Sequence, residues 1–469
     1  MKINTLLEGL IEIAEKPKTD FALSMHMTPS GLSKILTGKR LPLLKERKGF
    51  TKRAADYFTE AIYCPGCYVK LRDIFPVLYD FKNEEEFRSF LMSAVEYALD
   101  DAFAAENNVD MDRVERGVYF LGPKSILNVI CILFSDYINT LGNAPLELYC
   151  SMAMFYPGYA SMFRRIRILN PDRCKNIAFN LFFEESDLKN QAEDQGIDFF
   201  SFITKTLDLF DLSLWKSEND MGQLFMFIKG KLLLLFNRWL DGSLIMMPVT
   251  NKGYLVIFYD SLMKKGTEKI SYSKEEISAY LKSRPQVITK LLQKGVDISY
   301  NFIPVGYLLK RNELDATAAD ADACFKDAVW KLLNGTLRTT KTIVISFDAM
   351  ERFLSSGNLV VPLLGTVSYP EDARISYLKR YNAYLRKEAY DRVKLAKCEL
   401  SNLAVLCIEG LTLIYTIDRQ LERERVHILK TDRISSMLYE KVLKNKMETV
   451  DLTPELWDAY EEEFSGKKL

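Results

Sequence analysis

Apolar positions three and four residues apart mark the start of the chain as helical. Ile3, Leu6, Leu7, Leu10, Ile11 and Ala14 share one face of a helix that closes near Lys16-Pro17-Lys18. Thr19 reads as the N-cap of a short second helix burying Phe21, Ala22 and Met25. Thr28 caps a third, which opens at Pro29, buries Leu32, Ile35 and Leu36 and ends at Gly38. Ala54, Ala55, Phe58 and Ile62 predict a further helix between Phe50 and Phe75, packed on the first three. Helical spacing continues over 84–105 (Phe87, Phe90, Leu91, Ala94, Tyr97, Ala98), Ser125–Leu141 and Leu146–Ile168. After Pro171 the pattern changes to short, often continuously apolar runs. Asn176–Phe183, Gly242–Val249, Gly253–Asp260, Thr342–Phe347, Asn402–Cys407 and Leu411–Asp418 read as strands, with helices between them.

The two short helices and the tight turn between them, Asp20 to Arg40, resemble the helix-turn-helix of lambda-repressor-like (Xre-type) regulators; the likeness covers only the first sixty or so residues. It implies that the second helix enters the major groove of double-stranded DNA by its N-terminal end. Pro29, Ser30 and Lys34 are then the base-contacting candidates, and a lysine at 34 can donate to guanine O6 and N7. Thr28, Thr37, Lys39 and Arg40 would face phosphates, joined by Lys45, Arg47 and Lys48 from the basic run that follows. The turn position, usually glycine in that family, is His26, which must adopt an unusual backbone conformation or let the turn open.

Charge sharpens this picture. Lys plus Arg and Asp plus Glu both number 63, so the whole chain has no net field. Residues 1–53 nevertheless hold eleven Lys or Arg against five Asp or Glu, and residues 34–53 hold eight against Glu46 alone. That density suits a DNA backbone; the alternative is an ordinary helical bundle with a solvated basic face.

At 469 residues, 48% hydrophobic and 27% charged, the chain is long enough for several cores and excludes disordered and fibrous classes. The expected organisation is α+β and multidomain. An all-α helix-turn-helix bundle spans 1–62 and a mostly helical connecting or dimerisation region spans 63–172. Two mixed α/β, sensor-like halves follow at 173–310 and 311–469. An offset of 157 lays Gly253 on Gly410, Ile257 on Ile414, Ile277 on Ile434, Ser278 on Ser435 and Leu281 on Leu438. Either these halves are a tandem repeat, whose seam is a natural ligand or dimer site, or strands of any α+β region align this well by chance.

Candidate catalytic chemistry is sparse. Histidine occurs only at His26 and His427, and no phosphate-binding loop, dinucleotide fingerprint or nucleophile elbow is present. Cys64-Pro65-Gly66-Cys67 lacks the two further ligands a tetrahedral metal needs, and Asp315, Asp320 and Asp322 lack the spacing of a calcium loop. No cofactor, metal or catalytic residue is therefore expected. Tyr377, Tyr381 and Tyr384, on a helix expected over 375–397, can serve as an oligomer face or pack on their own sheet. The acidic stretch Asp451–Glu463 reads as a solvated helix end. The apolar runs Leu127–Phe134 and Leu232–Phe236 are too short to span a bilayer. Eight scattered cysteines and a start without a secretory signal favour reduced thiols and a cytoplasmic location.

The leading expectation is a sequence-specific transcriptional regulator, by simplest mechanism a repressor, acting as a homodimer. Its long remainder would sense a small molecule, peptide or protein. A second expectation is an enzyme or effector, for example of phage-defence type, whose helix-turn-helix serves autoregulation or DNA targeting. A third is a protein-binding module that touches no DNA.

Overall fold

The computed structural model describes residues 1–106, 119–141, 144–151, 177–184, 210–217, 224–239, 242–264, 267–317, 320–384, 392–398, 400–418, 423–443 and 449–451, with 200, 203, 206, 386, 387, 453, 455, 456, 458, 459 and 462. It divides into two compact units, one chiefly Met1–Asp187 and Ser217–Thr267, the other chiefly Glu268–Leu469.

In the first unit, α1 (Ile3–Ala14) buries all six apolar positions of its stripe. The following α2 (Lys18–Ser24) starts directly behind Pro17, so Thr19, read as its cap, lies inside the helix. Then α3 (Pro29–Leu36) begins as expected, the Thr28 hydroxyl accepting from the Gly31 N–H at 3.1 Å, and buries Leu32, Ile35 and Leu36. The longer α4 (Arg47–Ile62) ends well short of Phe75 and buries Phe50, Ala54, Ala55, Phe58 and Ile62. Phe21 of α2 packs on Phe58 with ring centres 4.7 Å apart. The next helix, α5 (Glu84–Glu106), lies against both α1 and α4, so the four-helix frame shares its core with residues beyond 62. Ion pairs from Arg47 to Asp100 (2.5 Å) and from Arg88 to Asp56 (2.5 Å) tie α4 to α5.

The chain continues with β1 (Phe120–Leu121), α6 (Pro123–Leu141), β2 (Leu146–Ser151), β3 (Ile177–Phe183), β4 (Asp211–Ser217), β5 (Leu224–Ile228), β6 (Leu232–Arg238), β7 (Leu244–Val249), α7 (Lys252–Lys264) and β8 (Thr267–Lys269), of which Ser213–Lys216 and Glu268–Lys269 group with the second unit. Two expectations are corrected. Leu146–Ser151, read as the start of a helix, is a central strand with β3 parallel on one side and β5 antiparallel on the other. Burial on both faces erases the alternation that marks a strand. The rest of the expected helix lies outside the described residues. Gly253–Asp260, read as a strand, lies in α7. There the Asn251 side chain accepts from the Gly253 N–H at 2.9 Å as a cap, and Val256 and Ile257 face outward, so capping overrides β-branched propensity.

The second unit contains β9 (Ser271–Ser273), α8 (Lys274–Ser283), α9 (Val287–Gln293), β10 (Val296–Asn301), α10 (Arg311–Thr317), α11 (Ala323–Thr339), β11 (Thr342–Ser346), α12 (Phe347–Ser356), β12 (Asn358–Val361), β13 (Gly365–Ser368), α13 (Glu371–Tyr384), β14 (Val393–Ala396), β15 (Leu403–Ile408), β16 (Leu411–Asp418), β17 (Arg423–Leu429), α14 (Arg433–Leu438) and β18 (Thr449–Asp451). In α13, Tyr377, Leu378 and Tyr381 are buried in the unit's own core, and Tyr384 donates to the Leu337 carbonyl at 2.6 Å. The helix thus packs internally and presents no tyrosine face to a partner. Of the rest of the helix expected over 375–397, residues 385 and 388–391 lie outside the described residues.

The chain forms two eight-stranded mixed sheets, and the two have the same strand order. The first runs β1-β7-β6-β5-β2-β3-β4-β8, the second β9-β17-β16-β15-β10-β11-β14-β18. In both, one parallel pair (β2 with β3, β10 with β11) adjoins an antiparallel meander (β5–β7, β15–β17). The hairpins β5–β6 and β15–β16 turn through Gly230 at φ 67° and Gly410 at φ 68°. The equivalence therefore sets Gly230, not Gly253, against Gly410, because residue 253 lies in a helix. The sheets are built from Phe120–Lys269 and Ser271–Asp451, rather than from 173–310 and 311–469.

Candidate nucleic-acid interface

The turn between α2 and α3 is made by His26, whose φ is 56°. A residue with a Cβ pays about 1–2 kcal/mol there, which the surrounding contacts must offset. Two backbone bonds close the turn, His26 N–H to Leu23 O (3.0 Å) and Met27 N–H to Ala22 O (2.9 Å). Fully buried Phe21, Ala22 and Met25 anchor it from below. His26 thus takes the left-handed geometry glycine would supply, and the helix-helix turn stays closed.

With Leu32, Ile35 and Leu36 facing the core, the opposite face of α3 carries Ser30, Ser33, Lys34 and Thr37, all exposed, and Pro29 stands exposed at its N-terminus. Ser33, on this face by helical spacing, was not among the sequence candidates; its position three residues from Ser30 and four from Thr37 is the signal. Past Thr37 the chain folds back. Gly38 sits at φ 70°, and the Lys39 and Arg40 N–H groups both donate to the Lys34 carbonyl, at 2.9 and 3.2 Å. That hook holds Lys39 and Arg40 beside the end of α3.

The hydroxyls divide by chemistry. Thr28 uses a lone pair to cap α3 and keeps its proton for an outside acceptor. Thr37 spends its proton on the Ser33 carbonyl at 2.9 Å, so in this conformation it offers a phosphate no donor. Among the described residues no carboxylate pairs with Lys34, Lys39, Arg40, Lys45 or Lys48, all of them exposed. Arg47 departs from expectation. Its guanidinium is turned onto α5, 2.5 Å from Asp100 and 3.5 Å from Glu96, so its charge is already neutralised. Within the basic run Leu44 is 70% exposed, a feature no periodicity flags.

The remaining candidates resolve structurally. Cys64 and Cys67 are free, burial raising the Cys67 thiol above its ordinary range, and among the described residues no group of three metal-ligating side chains is assembled. Asp322 caps α11 by accepting from the Phe325 N–H at 3.2 Å, while Asp315 pairs with Arg311 at 3.2 Å. Fully buried His427 sits between the hydroxyls of Ser271 (Nδ1, 2.6 Å) and Thr416 (Nε2, 3.0 Å). Ser271 has no exposed surface either, so this is a core polar link and not a nucleophile with its base. Desolvation, aided by the Arg425 charge, pushes the imidazole down to about 3.

No protein-family model matches the chain, and no curated protein matches it. Among solved structures, TrmBL2, described as an archaeal chromatin protein showing a novel mode of DNA binding, aligns over 47% of this chain and 76% of its own. Identity is 12% and the TM-score 0.18, a level at which likeness shows neither fold nor function. Among the described residues no helix is long and apolar enough to cross a membrane.

Proposed function

We propose that this protein binds double-stranded DNA through α2 and α3 and regulates transcription, most simply as a repressor by occupancy. One observation carries the reading. An outward face of α3 bearing Ser30 and Lys34 is held on a buried helical frame and flanked by the unpaired cations Lys39, Arg40, Lys45 and Lys48. An α-helix fits the major groove, unpaired lysine and arginine displace counterions from phosphates, and an exposed lysine such as Lys34 can donate to a guanine edge. Two heads in a homodimer would read half-sites about one helical turn apart. The second unit would supply sensing, a signal shifting the population of DNA-competent arrangements.

Fluorescence anisotropy of the full chain with labelled mixed-sequence duplex, from about 50 to about 200 mM salt, tests this. Binding should weaken steeply with salt, and Lys39→Ala/Arg40→Ala should reduce the slope of log K against log salt by about 2. No salt-dependent binding by the native chain would sink the reading.

A further inference from the structure

Pairing register in the second sheet arranges one face in two rows. Ser299, Leu406, Leu413 and Ile428 stand side by side across β10, β15, β16 and β17, and Ala404, Tyr415 and Val426 form the next row. From the helical side α8, α9 and α11 bring Leu281, Ile288 and Leu333 to the same space. The layers do not close, and an almost wholly apolar cavity of about 160 Å³ remains. Ala328 and Ala404, in its lining, leave open space that a longer side chain would fill.

Among the polar residues of its lining, Ser299 and Tyr307 hydrogen-bond each other at 3.0 Å and Tyr307 also donates to Asn301 at 2.7 Å, whereas the Tyr415 hydroxyl is unsatisfied. Tyr415 lines it, and Glu424 lies diagonally across the ladder on the same face, since Val426 pairs with Tyr415 and Glu424 with Ile417. Tyr415 Oη and Glu424 Oε2 are both buried, near one another and near the backbone of Leu363, in contacts too poorly aligned to be full hydrogen bonds. Burial pushes the Glu424 carboxyl up, toward its neutral, proton-donating form. Leaving a buried hydroxyl poorly satisfied is costly, and a ligand hydroxyl placed against Tyr415 would satisfy it. An apolar cavity of roughly 150 Å³ holds one benzene ring.

We propose that this cavity binds a monocyclic molecule that is apolar except for one hydroxyl, of the phenol class, its ring among the leucines and its hydroxyl on Tyr415. As the identity of the signal, this rests on the sensing reading above; as a binding site it stands on the cavity alone, and titration without DNA separates the two.

The test is ligand-observed NMR titration of the full chain with phenol and with benzene. Phenol should bind about tenfold more tightly than benzene, the worth of one net hydrogen bond. Tyr415→Phe should erase that preference while leaving benzene binding in place. Ala404→Leu, with near-UV circular dichroism as the folding control, should abolish both; if it does not fold, Ala328→Leu fills the same space from the helical side. Equal affinity for the two probes, binding that survives a folded cavity-filling variant, or no binding of either overturns the proposal.

Discussion

Single residues carry measurable parts of the account. Thr28→Ala removes the cap of α3 and should destabilise the protein by about 1 kcal/mol in thermal unfolding. His26→Gly relieves a left-handed turn at φ 56° and should stabilise by about 1 kcal/mol in the same measurement, leaving the Lys34 face in place. At His427 the sign is set by burial. The folded-state imidazole titrates near 3, well below its ordinary 6.5, so between these values the unfolded chain binds the extra proton. The contribution is fully present above pH 6.5 and is lost on acidification through that window, about 2 kcal/mol by pH 5. Urea unfolding at pH 7 and pH 5 should show the native chain losing more stability than His427→Gln; equal losses would remove His427 as the cause. At this scale the sequence was informative wherever a single face or cap decides the outcome, as for the α1 stripe, Thr28 and the unusual backbone demanded of His26. It was silent about Arg47, whose two acidic partners lie some fifty residues away on α5.

At the scale of elements, legibility followed burial. Helices with one buried face, such as α1 and α3, were legible because the 3.6-residue period survives. Strand β2 was not, because both of its faces are buried and periodicity vanishes. In α7 three outward apolar residues, Tyr254, Val256 and Ile257, imitate a strand. The repeated strand order had no clear trace in sequence because the offset between corresponding strands varies, from 150 for β2 and β10 to 182 for β4 and β14. Only the meander keeps a constant offset, 179 residues between β5–β7 and β15–β17, and its first hairpins turn at Gly230 and Gly410. Both have positive φ and open space where a Cβ would stand. Gly230→Ala and Gly410→Ala should therefore cost similar amounts, about 1–2 kcal/mol each from backbone strain alone, read as shifts in denaturant midpoint. Unequal penalties would mean that the two turns are not equivalent.

For the whole molecule, net neutrality conceals a division of labour. The cationic excess lies in the first 53 residues, where α1 to α4 hold the α3 face outward. The second unit contributes an apolar cavity that no stretch of sequence announces, since its lining comes from residues 277 to 428 on seven elements, from the segment after β10 and from the β12–β13 loop. Only the strand alternation at 404/406, 413/415 and 426/428 hinted at a common face. The most direct test of the central claim is selection of sites from a random duplex pool by the full native chain, repeated with Lys34→Ala. The account expects a two-fold symmetric site with the native chain, and with Lys34→Ala a loss of preference, worth about 1–3 kcal/mol, at one position of each half-site while overall affinity for duplex persists. Enrichment of no sequence by the native chain, or an identical site from Lys34→Ala, would contradict it.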